Sequence, residues 1–336
     1  MGKIAFLFAG QGAQSVGMGL DLYENNKTAK AVFDMGEELR KGTLDETFRS
    51  DMETLTRTEI TQPCLFLMDL ACARALEAEG VRADHLAGFS LGEIPALSFA
   101  GILSDKEAFE LVCVRGSRMA ECSKAHPGSM AAVLKLTAGE VEDIADGFKE
   151  VWPVNYNCPG QTVCAGAAKE MAAFSDAVKE KGGRALPLKV SGAFHTPYME
   201  DAGSELKRTL EGLDVKAAGI PIISNTTGRP YAGSRDEITE LISKQCANPV
   251  RWEDTIRYMH DMGVDTFIEV GAGKTLSGLV GKTLSVTDHF LCSCADVLGG
   301  TAETGCMVCQ SQIIIDRLRN TKEFLGMAGK NGIIRK

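Results

Sequence analysis

One serine of the chain lies between two glycines in a pattern that suits a nucleophile. Gly88, Ser90 and Gly92 form the sequence G-x-S-x-G, which occurs once in the chain. An apolar pair at 86–87 precedes it, and apolar residues at helical spacing follow it. Because glycine has no Cβ, it permits the sharp strand-to-helix turn that exposes a serine hydroxyl. Although the bare pattern also arises by chance, this context predicts that Ser90 is a nucleophile at a helix N-terminus, where free N–H groups favour an oxyanion.

A histidine and an arginine are further candidates for a site. His195 lies at the end of a predicted strand in a glycine-containing turn, where α/β folds assemble their sites. Arg115 lies in a helix predicted over 105–120, which begins after the N-cap Ser104. The alternative interpretations are a histidine with an ordinary structural hydrogen bond and an arginine in a surface salt bridge. Residue type alone does not decide between them.

Two glycine-rich segments resemble nucleotide-binding loops but depart from their patterns. The segment 9–14 follows a predicted buried strand at 4–8, but Ser15 occupies the position of the third glycine of a dinucleotide motif. A phosphate loop at 271–275 would need glycine at position 268, where the chain has Ile268. We therefore favour a role of the first loop in presenting a main-chain N–H group to a site beside the sheet.

Composition and charge exclude several classes of protein. The 336 residues are 44% hydrophobic and 24% charged, as in ordinary globular proteins, and the net charge of −9 argues against nucleic-acid binding. No apolar run reaches about 18 residues, and the first apolar run is too short for a signal peptide. The 11 cysteines, most of them in apolar segments, are typical of reduced thiols. We expect a cytoplasmic protein without membrane or nucleic-acid partners.

The predicted elements divide the chain into a large α/β unit and a compact insert. Strand, helix, strand, strand, helix and strand follow one another over 126–190, an order typical of a ferredoxin-like unit. Features of a parallel sheet precede this segment and resume after it, with strands predicted at 220–224 and 266–270 and a helix at 252–262. A helix is also predicted over 61–80.

The C-terminal segment carries a group of cysteines within 18 residues, namely Cys292, Cys294, Cys306 and Cys309. Zinc sites prefer two matched C-x2-C pairs, and the first pair here is C-x-C. We therefore expect reduced cysteines and no metal, with a metal site as the alternative. The segment 291–336 is expected to be a cysteine-containing extension that is partly disordered.

Six short segments of the chain together carry a resemblance to a known family. The segments are FAGQGAQ at 8–14, GFSLGE at 88–93, RG at 115–116, GAFHTP at 192–197, NPVRW at 248–252 and EVGAG at 269–273. In order and spacing they resemble the malonyl-CoA:acyl carrier protein transacylases of bacterial fatty acid synthesis, and the resemblance covers about residues 3–285. The resemblance implies an α/β-hydrolase-like large subdomain with a parallel sheet at 1–125 and 191–290, and an inserted ferredoxin-like small subdomain at 126–190.

The resemblance also implies catalytic roles at the matching positions. Ser90 resembles the nucleophile that attacks the malonyl thioester, and His195 resembles the base that takes its proton. The main-chain carbonyl of Gln245 would hold the other nitrogen of the histidine, so we expect the Gln245 side chain to matter little. The N–H groups of Gln11 and Leu91 would form the oxyanion hole.

Two further residues would bind the acyl group. Arg115 resembles the arginine that binds the malonyl carboxylate through two parallel N–H groups, a geometry that lysine cannot copy. Phe194 resembles the bulky residue that admits malonyl and crowds a methyl-branched acid, although one methyl contact gives only about 1–3 kcal/mol of discrimination. The family usually has histidine where Phe89 stands and lacks a proline at Pro95, but neither departure touches the expected chemistry.

The implied activity is a ping-pong transfer of malonyl from malonyl-CoA to the phosphopantetheine thiol of holo acyl carrier protein, which supplies fatty acid elongation. The enzyme would be a monomer without a bound cofactor. Because carrier proteins of this kind are acidic and this chain is negative, docking would require a local basic patch. The alternatives are a discrete acyltransferase of a polyketide synthase, a serine hydrolase or thioesterase, and an inactive module that binds carrier proteins.

Overall fold

The computed structural model describes residues 2–190, 192–231, 233–284 and 290–293 of the chain. Within these ranges lie nine strands in two sheets and thirteen α-helices. The strands are β1 (Lys3–Phe8), β2 (His85–Gly88), β3 (Gly128–Leu134), β4 (Val151–Cys158), β5 (Gln161–Ala167), β6 (Arg184–Pro187), β7 (Ile222–Ile223), β8 (Val264–Val270) and β9 (Phe290–Ser293). The helices are α1 (Leu20–Asn25), α2 (Lys27–Leu39), α3 (Thr43–Arg49), α4 (Met52–Thr56), α5 (Thr58–Ala78), α6 (Glu93–Phe99), α7 (Asp105–Ala125), α8 (Ala138–Ala145), α9 (Ala168–Glu180), α10 (Glu200–Glu211), α11 (Arg235–Lys244), α12 (Trp252–Asp261) and α13 (Thr275–Leu284).

A parallel sheet forms the centre of the large unit, with the strand order β7-β2-β1-β8-β9. Strand β1 lies in the middle, and its last four residues are buried, which explains its continuous apolar sequence. Its final residue, Phe8, pairs with Gly88 of β2 and with Val270 of β8. Three strands therefore end side by side, and the loops that follow them meet at one edge of the sheet.

Two long helices, α5 and α7, pack against each other on one face of this sheet and share its apolar core. Helix α7 begins with a capping box in which Ser104 and Glu107 satisfy each other's main-chain N–H groups. It starts where the sequence predicted but continues to Ala125 instead of ending at 120. Helix α5 begins and ends a few residues earlier than the predicted span of 61–80.

The inserted unit is an antiparallel sheet with the strand order β4-β5-β3-β6. Helices α8 and α9 cover one of its faces through a separate apolar cluster. Main-chain hydrogen bonds of Val250 with Val154 and Tyr156 join β4 to the large unit. The element order is the predicted β-α-β-β-α-β, and the predicted fold class is confirmed: an α/β protein with a parallel sheet and a smaller ferredoxin-like sheet.

The structure differs from the sequence predictions at three strands. Strand β7 has only two residues, because Pro221 before it has no N–H group and Ser224 after it bonds to Arg229 in a turn. Strand β6 ends at Pro187 instead of continuing to residue 190 as the sequence predicted, although the N–H of Leu188 still donates to the carbonyl of Met130 in β3 at 2.9 Å. Strand β9 extends the parallel sheet to Ser293, three residues beyond the predicted boundary at 290.

Most of the predicted C-terminal extension, including Cys294, Cys306 and Cys309, lies outside the described residues. None of the helices within the described ranges combines the length and the apolar character needed to cross a bilayer.

Candidate active site

The turn that carries Ser90 begins at the carboxyl end of β2. Ser90 has φ of 52°, a left-handed conformation that residues other than glycine rarely adopt. A Cβ on Gly88 would overlap the main chain of Gly92, and a Cβ on Gly92 would overlap the carbonyl of Phe8. Both glycines are therefore required by the close approach of the backbone segments. The predicted helix does not begin at Ser90 itself, since a 3-10 turn at Ser90–Gly92 precedes α6.

His195 contacts the serine directly, with 2.7 Å between Ser90 Oγ and His195 Nε2. Its Nδ1 lies 2.9 Å from the main-chain carbonyl of Gln245 and 3.1 Å from that of Asn248. Because both of these neighbours are acceptors, Nδ1 carries the proton and Nε2 is free to accept one. His195 also has a left-handed φ of 61°, and its N–H donates to the carbonyl of Cys246.

The protonation of His195 is controlled by its surroundings. Burial, together with the positive charge of Arg115, lowers the pKa of His195 to about 4, and the two carbonyls at Nδ1 oppose this shift. The imidazole is therefore neutral at pH 7. A neutral imidazole with Nε2 facing a serine hydroxyl can act as a general base.

Arg115 projects from α7 into the same site and is fully buried. Its Nη1 donates to Gln62 Oε1 at 2.9 Å, and its Nη2 donates to Gln245 Oε1 at 2.7 Å and to Ser90 Oγ at 3.2 Å. These partners within the described part of the chain are all uncharged, and Nε has none there. A buried cation without a carboxylate partner is unusual, because burying an unpaired charge is costly. The surface salt bridge considered as the alternative for Arg115 is thus absent from the described residues.

The side chain of Gln245 contradicts the expectation that it would matter little. Its Oε1 accepts from Arg115, and its Nε2 donates to the main-chain carbonyl of Ser90 at 2.6 Å. With its own carbonyl at His195 Nδ1, this residue contacts all three predicted site residues. The expectation considered only the backbone path, whereas the side chain joins the guanidinium to the turn of the nucleophile.

Two main-chain N–H groups lie where an oxyanion hole is predicted. Leu91 follows the nucleophile, and Gln11 lies in the loop after β1 and lines the cleft in front of Ser90. Neither N–H donates a hydrogen bond to another residue of the described ranges. Both remain available to a substrate oxygen. Gln11 itself is held by a hydrogen bond of its side chain to Thr58 Oγ1 at 3.2 Å.

The site opens into a cleft between the two sheets, with a cavity of about 250 Å³. Phe194 lines this cleft next to His195 and is 6% exposed. Asn155 and Asn157 of β4 also line it, and their buried Oδ1 atoms have no partner in the described part of the chain. The cleft therefore offers a largely apolar wall with a few acceptors for a ligand's N–H groups.

The two departures from the family's pattern are accommodated by local packing. The ring of Phe89 packs edge-on against Trp252, with 5.3 Å between the ring centroids. Pro95 lies in the first turn of α6, where its missing N–H breaks no helical hydrogen bond. Neither residue disturbs the contacts of Ser90.

Sequence reasoning missed three buried polar residues of the site. Gln62 of α5 holds Arg115, while Asn225 and Glu93 support the turn of the nucleophile. Gln62 directly precedes the apolar run at 63–68 of α5, which was a usable signal. Asn225 follows a two-residue strand in a segment without any recognised motif.

Comparisons with known proteins identify the family. The sequence-family model of the acyl transferase domain matches residues 5–299 of this chain. The chain is 42% identical over 300 residues to the malonyl CoA-acyl carrier protein transacylase of Bacillus subtilis, a match that covers 86% of this chain and 94% of that protein. The crystal structure of the malonyl CoA-acyl carrier protein transacylase from Clostridium perfringens superposes with a TM-score of 0.83 at 32% identity, covering 97% of this chain and 99% of that one.

A second similar structure is PlMCAT:AntF, described as a type II PKS acyl-carrier protein in complex with its malonyl-transacylase. It has a TM-score of 0.85 at 29% identity and covers 95% of this chain and 99% of that one. The chain therefore belongs to the acyl transferase domain family, and its relatives include malonyl CoA-acyl carrier protein transacylases.

Proposed function

We propose that this chain transfers the malonyl group of malonyl-CoA to the phosphopantetheine thiol of holo acyl carrier protein through a malonyl ester of Ser90. One observation carries the proposal. The Arg115 guanidinium is fully buried beside the nucleophile, 3.2 Å from Ser90 Oγ, and its partners in the described residues are all neutral. The buried carboxyl of Glu93 interacts with Arg115 through charge but is not among its hydrogen-bond partners. An acyl group with a free carboxylate supplies the hydrogen-bonded anionic partner that the guanidinium lacks in the described residues.

In the first half-reaction, the hydroxyl of Ser90 attacks the thioester carbonyl while His195 Nε2 takes its proton. The N–H groups of Gln11 and Leu91 donate to the oxyanion of the tetrahedral intermediate. Its collapse breaks the C–S bond, and the imidazolium returns the proton to the departing thiolate of coenzyme A. In the second half-reaction, His195 takes the proton of the carrier-protein thiol, whose sulfur attacks the ester carbonyl. Collapse of this second tetrahedral intermediate breaks the C–O bond to Ser90, and the imidazolium returns the proton to the serine oxygen.

The acyl group and the arm that carries it would lie along the cleft. The planar fork of Arg115 would bind the malonyl carboxylate with two N–H groups, with Phe194 beside the carbon that separates the two carbonyl groups. The unpaired acceptors of Asn155 and Asn157 suit the amide N–H groups of a pantetheine arm. These donors and acceptors are complementary to a thioester of malonate.

The proposed pathway is fatty acid elongation, with an acyltransferase acting in polyketide synthesis as the second candidate. The second candidate is supported by the similarity to the transacylase bound to a type II PKS carrier protein. A hydrolase or thioesterase would leave Arg115 without a carboxylate in the reaction. We further propose a cytoplasmic monomer that needs no bound cofactor. Seven cysteines of the described residues are free thiols, which supports a reducing compartment; they are Cys64, Cys72, Cys113, Cys122, Cys158, Cys164 and Cys246.

Intact-mass spectrometry tests this function. The protein is mixed separately with malonyl-CoA, acetyl-CoA and methylmalonyl-CoA, and the wild type is expected to gain one malonyl group most rapidly. Ser90→Ala is expected to gain none. Arg115→Ala is expected to be malonylated about 100-fold more slowly and to keep its acetylation, because it loses charge-assisted hydrogen bonds of about 1.5–3 kcal/mol each to the carboxylate.

The matched control is Arg118→Ala, which removes an exposed arginine of the same helix that pairs with Glu121. It is expected to leave both acylation rates unchanged. Malonylation of the Ser90→Ala protein would contradict the role of the nucleophile. An equal loss of malonylation and acetylation in Arg115→Ala would assign the arginine a structural role only.

A further inference from the structure

Both main-chain polar groups of the nucleophile are held by side chains from distant parts of the chain. The Ser90 N–H donates to Asn225 Oδ1 at 2.7 Å, and the Ser90 carbonyl accepts from Gln245 Nε2 at 2.6 Å. The left-handed φ of 52° at Ser90 is unfavourable for a residue with a Cβ. Such a conformation persists only where the surrounding contacts determine it.

Asn225 contacts this turn at two points. Besides accepting from the Ser90 N–H, its carboxamide donates from Nδ2 to the carbonyl of Gly88 at 2.6 Å. The ladder between β2 and β7 ends at the pair of Ala87 and Ile223. Beyond this last pair, the carboxamide of Asn225 therefore supplies the donor and the acceptor that further main-chain pairing of β7 with β2 would have supplied.

Asn225 is itself fixed through its main chain. Its N–H donates to Glu93 Oε1 at 2.9 Å, and its carbonyl accepts from the N–H of Arg251 at 2.8 Å. Tyr231 donates to the same Glu93 oxygen at 2.8 Å. Asn225 and Glu93 are both buried, so water does not compete for these hydrogen bonds. All polar groups of Asn225 are thus engaged, and its carboxamide has one orientation.

We propose that Asn225 is a positioning residue whose carboxamide holds Ser90 in the left-handed conformation that directs its hydroxyl to His195. The proposal rests on the proposed function for the role of Ser90 and adds a residue that no motif indicates. A shift of Ser90 to negative φ would move Oγ out of its 2.7 Å contact with His195 Nε2. Because the polar groups of Asn225 are all engaged by the protein itself, we expect its loss to lower the rate of acylation and to leave the affinity for substrate nearly unchanged.

Asn225→Ala tests the proposal, with Asn26→Ala as the matched control. Asn26 caps α2 and accepts from two main-chain N–H groups at 3.0 Å each, so the control also removes an asparagine that holds backbone but does not touch the turn of Ser90. Acylation of Ser90 is measured in single turnovers with malonyl-CoA, and labelling is measured with a fluorophosphonate, which requires an activated serine but no malonyl group.

Asn225→Ala is expected to lower both rates at least 10-fold while KM for malonyl-CoA stays within twofold of the wild type. Asn26→Ala is expected to lower only the stability. Asn225→Asp keeps an oxygen facing the Ser90 N–H and loses the donor to Gly88, so its rate is expected between those of the wild type and Asn225→Ala. If Asn225→Ala does not fold, a rate of Asn225→Asp clearly below that of the wild type supports the proposal.

A rate of Asn225→Ala within twofold of the wild type would overturn the proposal, as would a loss that appears only in KM. If Asn225→Ala does not fold, a rate of Asn225→Asp within twofold of the wild type would overturn it. The two proposals fail separately. A wild type that reacts with the fluorophosphonate but not with malonyl-CoA would refute the proposed function, while the effect of Asn225 on labelling would still decide its role as a positioning residue.

Discussion

Arg115 and His195 share one buried space, and the charge of Arg115 adds to the effect of burial in lowering the basicity of His195. Burial and the guanidinium together lower the pKa of His195 to about 4 in the free enzyme. A malonyl carboxylate bound to Arg115 would cancel most of this positive charge. The pKa of His195 would then rise, so the base would become stronger when the correct acyl group is bound.

The pH dependence of acylation follows from this coupling. His195 must be neutral to take the serine proton, so the rate is full above its pKa and falls as the pH drops through that value. For kcat/KM, which reports the free enzyme, we expect a midpoint near pH 4. For kcat with malonyl-CoA we expect a higher midpoint, because the carboxylate neutralises Arg115. Single-turnover acylation at low and at saturating substrate measures the two midpoints.

Acetyl-CoA provides the control for this pH experiment, because it has no carboxylate. Its two midpoints are expected to coincide. Circular dichroism at each pH shows whether the protein is still folded at the acid end. A kcat/KM midpoint near the unperturbed value of about 6.5 would contradict the combined effect of burial and Arg115 on the pKa of His195.

At the scale of elements, the sequence predicted the helices and strands whose signals lie among neighbouring residues. The apolar run of β1 and the N-cap at Ser104 are recognised from a few neighbouring residues, and both appear in the structure. Strand β7 was predicted too long, because its ends are decided by Pro221 and by a turn after Ile223. The family and the fold class predicted from the six segments are confirmed.

The supporting contacts of the site were not predictable from spacing. Gln62, Asn225 and Gln245 are common polar residue types, and they meet Arg115 or Ser90 across 53 to 155 positions of the chain. Only the folded sheet edge brings them together. The proposed roles of Ser90 and His195 stay predictions until the acylation experiments are done.

The N-cap of α7 leads to a prediction that a substitution lowers the stability of the protein and leaves the acylation of Ser90 unchanged. Ser104→Ala removes the oxygen that accepts from the Glu107 N–H and is expected to lower the free energy of unfolding by about 1 kcal/mol, measured by urea titration. Arg115 lies nearly three turns further along the helix and is held by its own contacts, so acylation by malonyl-CoA is expected to stay within twofold of the wild type.

The comparison variant for this prediction is Thr137→Ala, which removes the equivalent cap of α8 in the inserted unit. If the two units unfold together, both variants lower the same urea midpoint. A loss of acylation in Ser104→Ala comparable to that of Arg115→Ala would show that the start of α7 controls the position of the guanidinium.

At the scale of the whole molecule, a net charge of −9 has to be reconciled with the binding of an acidic carrier protein. Three exposed lysines adjoin the cleft. Lys189 lies between two cleft-lining residues, Lys274 precedes the lining residue Thr275, and Lys282 donates to Gln161 Oε1 of the lining at 3.2 Å. We propose that these lysines form the basic patch that docking of the carrier protein requires and that the sequence analysis could not assign to particular residues.

Replacing all three lysines by glutamate is expected to raise KM for holo acyl carrier protein about 10-fold or more, since the patch would then repel an acidic partner. Added salt should reduce the difference from the wild type, because it screens exposed charges. With free pantetheine as the acceptor thiol, which has no charged surface, the rate of deacylation should not change. The variant Lys216→Glu reverses an exposed lysine that pairs with Asp214 away from the cleft, and it is expected to behave as the wild type. An equal loss with both acceptors would place the effect of the lysines on the site itself and not on the docking of the carrier protein.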